Sequence, residues 1–175
     1  AQLSWVTRGP LLAQEYLGRR GICLVLARQL PGTYLDGAAF LLEDARPVIA
    51  LTLRHDRIDN FWFALMHELA HVLLHLNTVE EGFYDDLDSG PDRSKKEAEA
   101  DRYARSSLIP DDVWNRSPAS TLRTQEAAEH LAQQLRIHPA IVAGRMRYTF
   151  RNYRLLNSVL RHGGVRSVFE EAGKA

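Results

Sequence analysis

The feature that most constrains this chain is the stretch from about residue 59 to 76, where Trp62, Leu65, Met66, Leu69, Val72, Leu73 and Leu76 recur at helical spacing. Asp59 or Asn60 is placed to cap the start. A helix apolar over so much of its circumference belongs deep in a domain. Yet this one also carries His67, Glu68, His71 and His75. Polar groups are costly at such depth unless they are partnered, so they need a task.

Residues four apart share one face of an α-helix, so His67 and His71 can offer two imidazole nitrogens to a single ion, each at about 2.0–2.1 Å. Glu68 lies beside that pair, placed to take a proton from attacking water rather than to ligate. A catalytic zinc needs a third protein ligand and an open position. His75 is eight residues from His67, about 12 Å along a straight helix, which makes it a second-shell or packing residue. The better source is the run Lys96 to Ala104. There Glu97, Ala100, Asp101, Ala104 and Leu108 form one helical stripe, and the two alanines permit close approach to another helix. Glu97 can then reach the ion, and Asp101 can accept the proton of a ligand histidine's other nitrogen. Glu99 and Arg102 point elsewhere, towards water.

Around these two helices the chain reads as mixed α and β. Leu11 to Leu17 is an N-terminal helix closed by Gly18 and Gly21, and Ile22 to Ala27 is a buried strand. Its Cys23, the one cysteine, reads as a buried, inert thiol, so no disulfide framework exists. Turn signals at Pro31-Gly32, Asp36-Gly37 and Glu43-Asp44 separate further strands at Ala38 to Leu42 and Pro47 to Leu53, giving three short strands in antiparallel order. Residues 77 to 93 read as an acidic loop. Helices follow at 94 to 108, 121 to 135, after Pro139, and near Tyr153 to Leu160.

With 175 residues, 45% of them hydrophobic, the chain suits one compact domain or one domain with a helical appendage. No apolar run reaches the roughly 18 residues of a membrane span, and no signal-peptide pattern opens it, which predicts a cytoplasmic protein. Acidic and basic residues balance at 22 each, so no general attraction to nucleic acid is expected. Charge is uneven, however: 80 to 101 is acid-rich, and 136 to 166 holds seven arginines and no carboxylate. The Ala-Gln start, without Met, points to a fragment or a processed product.

The sequence resembles the ImmA/IrrE family of metallopeptidases, on His67-Glu68-Leu69-Ala70-His71, the following Leu-Leu-His, the Glu97 to Asp101 run and Leu108-Ile109-Pro110. The likeness extends over roughly residues 10 to 150. It implies an α+β, zincin-like core over 1–115, with a three-stranded antiparallel sheet packed on helices, and C-terminal helices over 116–175. It carries Glu97 over as third ligand, with Zn2+ as the cofactor and Mn2+ as an alternative in the cell. It also implies a peptidase acting on a helix-turn-helix repressor, in stress response or in mobile-element or toxin–antitoxin regulation, and an upstream helix-turn-helix domain.

Tyr34, His55, Tyr103 and His138 are candidate oxyanion or substrate contacts. The segments Leu30 to Gly37 and His55 to Trp62 are polar and aromatic, and suit either a structural role or the mark of a subgroup. The strand Val48 to Leu53 is a candidate edge for pairing with an extended substrate. Two other readings stay open. Residues 127–154 have the two-helix rhythm of a DNA-binding pair, with Arg136 where a turn glycine is common. The chain would also serve as a metal-dependent sensor without turnover.

Overall fold

A computed structural model describes residues 1–27, 29, 32, 34–76, 83–84, 91–160 and 164–172, with backbone alone at 83–84 and 91–94. The chain starts with a 3-10 turn, Gln2–Trp5, and helix α1, Gly9–Gly18, which ends at a turn through Gly21 (φ 80°). Strands β1 (Cys23–Leu26), β2 (Gly37–Leu41) and β3 (Pro47–Leu51) follow. The long buried helix is α2, Ile58–Leu74. After a two-residue strand β4 (Phe83–Tyr84) come α3 (Pro91–Leu108), α4 (Asp111–Arg116), α5 (Gln125–Leu135), α6 (Pro139–Thr149) and α7 (Arg166–Ala172).

The α+β class agrees with the sequence, but the sheet is mixed rather than antiparallel. Its order is β1-β3-β2-β4, with β3 parallel to β1 and antiparallel to β2. The tight β2–β3 connection, closed by Leu42 N–H to Arg46 C=O (2.9 Å) and turned at Ala45 (φ 59°), makes a hairpin. The longer stretch 27–36 lets β2 skip a place, and β3 returns to fill it beside β1. Strand β3 is therefore internal, hydrogen-bonded on both sides, and cannot pair with a substrate as the sequence suggested. Cys23 is half-buried on β1 rather than sealed in the core.

Helix α2 buries Phe61, Trp62 and Leu65 together with Ile49 and Leu51 of β3. Full burial of side chains of this size contributes about 1.5–3 kcal/mol each. The same hydrophobic cluster takes in Leu131, Val142 and Met146, so it includes residues on both sides of position 115. Helix α2 starts one residue before Asp59. Arg57 stands at its N-cap position and grips the buried Asp59 carboxylate with two hydrogen bonds, 2.9 and 2.7 Å. The burial of Asp59 is thus matched by a bidentate partner instead of a capping role.

Helices α5 and α6 meet at Arg136, which takes the left-handed conformation (φ 52°, ψ 53°) where glycine would be easier. Thr124 and His138 cap them, accepting from Ala127 N–H (3.3 Å) and Ala140 N–H (3.1 Å). Helix α6 buries Ala140, Ile141, Val142, Ala143, Met146 and Arg147, so the helix that a DNA-reading pair would lay in a groove is largely inside the domain. No α-helix forms at 153–160. Arg151 and Leu156 take positive φ (50° and 52°), leaving only a 3-10 turn, Asn157–Val159. The chain then reaches α7, where the N–H groups of Val165, just before the helix, and of Arg166, its first residue, are held by the Asp56 carboxylate, both at 3.0 Å. The expected loop 77–93 falls largely outside the described residues, as do Leu30, Pro31 and Thr33. None of the helices described is long and apolar enough to cross a membrane.

Candidate metal centre

Helices α2 and α3 lie side by side, and Ala100 and Ala104, both fully buried, remove the side chains that would hold them apart. This close seam brings together His67, His71 and Glu97, whose donor atoms all lie within 4.8 Å of one another. His67 Nε2 is 3.1 Å from Glu97 Oε2 and 3.1 Å from His71 Nε2, while His71 Nε2 is 3.5 Å from Glu97 Oε1. Those separations bracket the edge of about 3.3 Å of a tetrahedron with bonds of about 2.0–2.1 Å. Two neutral imidazoles and one carboxylate are also a donor set that suits a hydrolytic zinc site. The residues present therefore fit a metal ion.

Each histidine is held from behind. His67 Nδ1 lies 3.1 Å from Asp101 Oδ1, and Arg105, one turn further along α3, donates to the other Asp101 oxygen at 3.2 Å. With Nε2 of His71 turned to the cluster, its Nδ1–H donates to His75 Nδ1 at 2.9 Å. His75, at the end of α2, then donates from Nε2 to Glu99 Oε2 at 3.1 Å. Glu99 is half-exposed but has a specific partner, which helix phase did not reveal.

The titrations follow from this crowding. Burial opposes charge on His67, but hydrogen bonds to Asp101 and Glu97 and the nearby Glu68 and Glu97 carboxylates outweigh it and raise its pKa to about 10. Burial lowers the pKa of His71, against a hydrogen bond that it donates to Glu97 and with the help of charged His67. Glu97 is itself partly buried, which opposes its charge, yet contact with the two imidazoles holds its carboxyl well below the usual carboxylate range. Asp101 is lowered in the same way: burial is outweighed by His67 and then Arg105.

Glu68 is buried on the same helix, at 3% exposure. Among the oxyanion candidates, Tyr34 is exposed, with the Arg54 guanidinium 5.5 Å from its ring centre, and Arg54 is itself paired with Asp36. His55 is exposed, Tyr103 is half-buried on α3, and His138 is engaged as the α6 cap, with its own N–H donated to Ser4 Oγ. The sequence reading also missed Arg105, although its position four residues after Asp101 is an ordinary helical ion-pair signal. A cavity of about 270 Å³ adjoins this region, walled by Phe63, Asp101, Arg105, Ile141, Arg145 and Tyr148 among others. Asp101 is its link to the cluster.

An α+β domain that sets two helical histidines one turn apart against a glutamate from the next helix has the construction of a metallopeptidase. The model of a peptidase family, the IrrE N-terminal-like domain, matches residues 20–147, from just before β1 into α6. The match spans well over half of the chain, and the chain belongs to this family. No curated protein matches it significantly.

Proposed function

We propose that the chain is a zinc-dependent endopeptidase of the cytoplasm, with His67, His71 and Glu97 as the metal ligands and Glu68 as the general base. The observation that carries this reading is the convergence of three donor atoms from two helices within 4.8 Å, with Glu68 buried beside them. Bound there, zinc would acidify water and polarise the scissile carbonyl, with Mn2+ a substitute in the cell. Glu68 accepts the proton of the attacking water and delivers it to the leaving amine. Asp101 and His75 fix the orientation and tautomer of the two histidines, so that both present Nε2. The cavity beside Asp101 is of a size to receive one substrate side chain.

The resemblance supports a protein substrate of the helix-turn-helix repressor class, and with it a role in stress response or in the control of mobile elements or toxin–antitoxin pairs. The test is to incubate the metal-loaded chain with the repressor encoded beside it and map the fragments by mass spectrometry. One internal cut, absent with a chelator, is expected. Glu68→Gln should keep stoichiometric metal and lose hydrolysis by about 10²–10⁴-fold, because the amide keeps the shape but cannot take a proton. Undiminished cutting by that variant would refute the assignment of the base.

A further inference from the structure

Glycine is needed where φ is positive or where two parts of the chain approach too closely for a side chain. Gly37 is of the second kind. It pairs with Leu51 at the leading end of β2 and is not among the glycines with positive φ. A Cβ added to it would meet Glu68 before anything else, at 2.5 Å from Oε1, 2.9 Å from Cγ and 3.0 Å from Cδ. Real atoms do not approach so closely, so one of the two side chains would have to be displaced.

We infer that Gly37 is a positioning residue for Glu68: the space left by its missing Cβ is where the Glu68 side chain is held against the sheet. The inference rests on the reading of Glu68 as the base. Its consequence is an asymmetry. The backbone of Gly37 suits alanine, and the atoms in the way are the end of a side chain, so folding should tolerate the change. A proton-transfer group moved by an ångström is another matter, and such misplacement costs about 10²-fold in rate. Helix phase places Glu68 beside the histidines, and the sheet, at Gly37, leaves the space into which its carboxylate extends.

The test is a double-mutant cycle in the metal-loaded chain, with Gly37→Ala made in the parent, in Glu68→Asp and in Glu68→Ala. Gly37→Ala alone should keep stoichiometric metal, lose about 100-fold in hydrolysis, and lower Tm by about 2–4 °C, the equivalent of a modest strain in a chain of this length. Added to Glu68→Asp, whose shorter side chain leaves room, it should cost less than about tenfold of the activity that remains. Added to Glu68→Ala, it should leave Tm unchanged, because the atoms it would strike are gone. Parental activity in Gly37→Ala, or the same Tm shift in both backgrounds, overturns the inference. If Gly37→Ala does not fold but the double variant with Glu68→Ala does, the contact is supported; failure of both overturns it. A parent without any hydrolysis would count against the proposed function alone, since the Tm cycle still decides the contact.

Discussion

Helix α2 is gripped along two seams, and they are built on opposite principles. Against α3 it sets His67, His71 and His75 opposite Glu97, Asp101 and Glu99, with two alanines closing the gap. Against α6 the contact is one of shape: Gly144 lies so close that an added Cβ would stand 3.1 Å from Asp59 Cβ, and Val142 and Met146 are fully buried around it. In the first seam every group has an individual partner, and replacing one leaves another buried and unmatched. In the second, Asp59 and Arg147 keep partners of their own, Arg57 and Asn157, and the apolar contacts around them would accept any well-fitting set. Chemistry is concentrated where packing is least forgiving of substitution, and stability where it is most forgiving.

The sharpest way to break this contrast is Glu97→Ala. It removes one of three donors and should abolish stoichiometric zinc and hydrolysis while circular dichroism shows a folded protein. Retention of zinc at parental affinity would mean that the polar seam is structural. Asp101→Ala ranks next, with a metal affinity about 10–100-fold lower by competition with a chelator, the usual cost of losing a partner behind a ligand. His75→Ala should fall in the same range and keep one metal per chain when metal is in excess. Glu99→Ala acts through His75 from a half-exposed position, so it should cost less than about tenfold. A larger effect of Glu99→Ala than of Asp101→Ala would invert the order.

The apolar seam should respond in the other currency. Met146→Ala should destabilise the fold by about 2–5 kcal/mol in a denaturant titration, through lost burial and the cavity left behind. The fraction that remains folded should bind metal as the parent does. A drop in metal affinity larger than the drop in stability would show that α6 also tunes the site.

What could be read from the sequence divides along the same line. The active helix was legible because its apolar period is long, and Glu97 could be told from Glu99 because one helical stripe also contains Ala100, Asp101 and Ala104. Helix period is a local property, and these pairings follow from it. The place of β3 inside the sheet was not legible, since whether the stretch 27–36 crosses a neighbouring strand depends on tertiary packing. Nor was the contact of Glu99 with His75, which depends on how α2 and α3 are set against each other. The helix expected at Tyr153 to Leu160 failed for a backbone reason: positive φ at Arg151 and Leu156 carries no signature in those residue types. Gly37 read only as a turn signal, because a space for another residue's side chain has no local pattern.

The smallest predicted effect separates the seams by pH. In the chelated protein His67 titrates at about 10, above the roughly 6.5 of an unfolded histidine. A group raised on folding contributes stability that is complete below the unfolded pKa and is lost as pH climbs through the folded one. The chelated chain should therefore lose Tm steadily from about pH 6.5 to 10. Glu97 and Asp101 are lowered on folding, so their contribution is present above about pH 4 and fades only in stronger acid. Metal must displace the His67 proton, so loading zinc should release about one proton per ion at neutral pH and flatten the alkaline limb. Met146→Ala should lower the whole Tm curve without changing its shape, whereas Glu97→Gln, which removes a charge facing His67, should reduce the alkaline slope. A chelated parent with constant Tm between pH 6.5 and 10 would show that the polar seam holds no shared proton, and with it the electrostatic half of the contrast would fail.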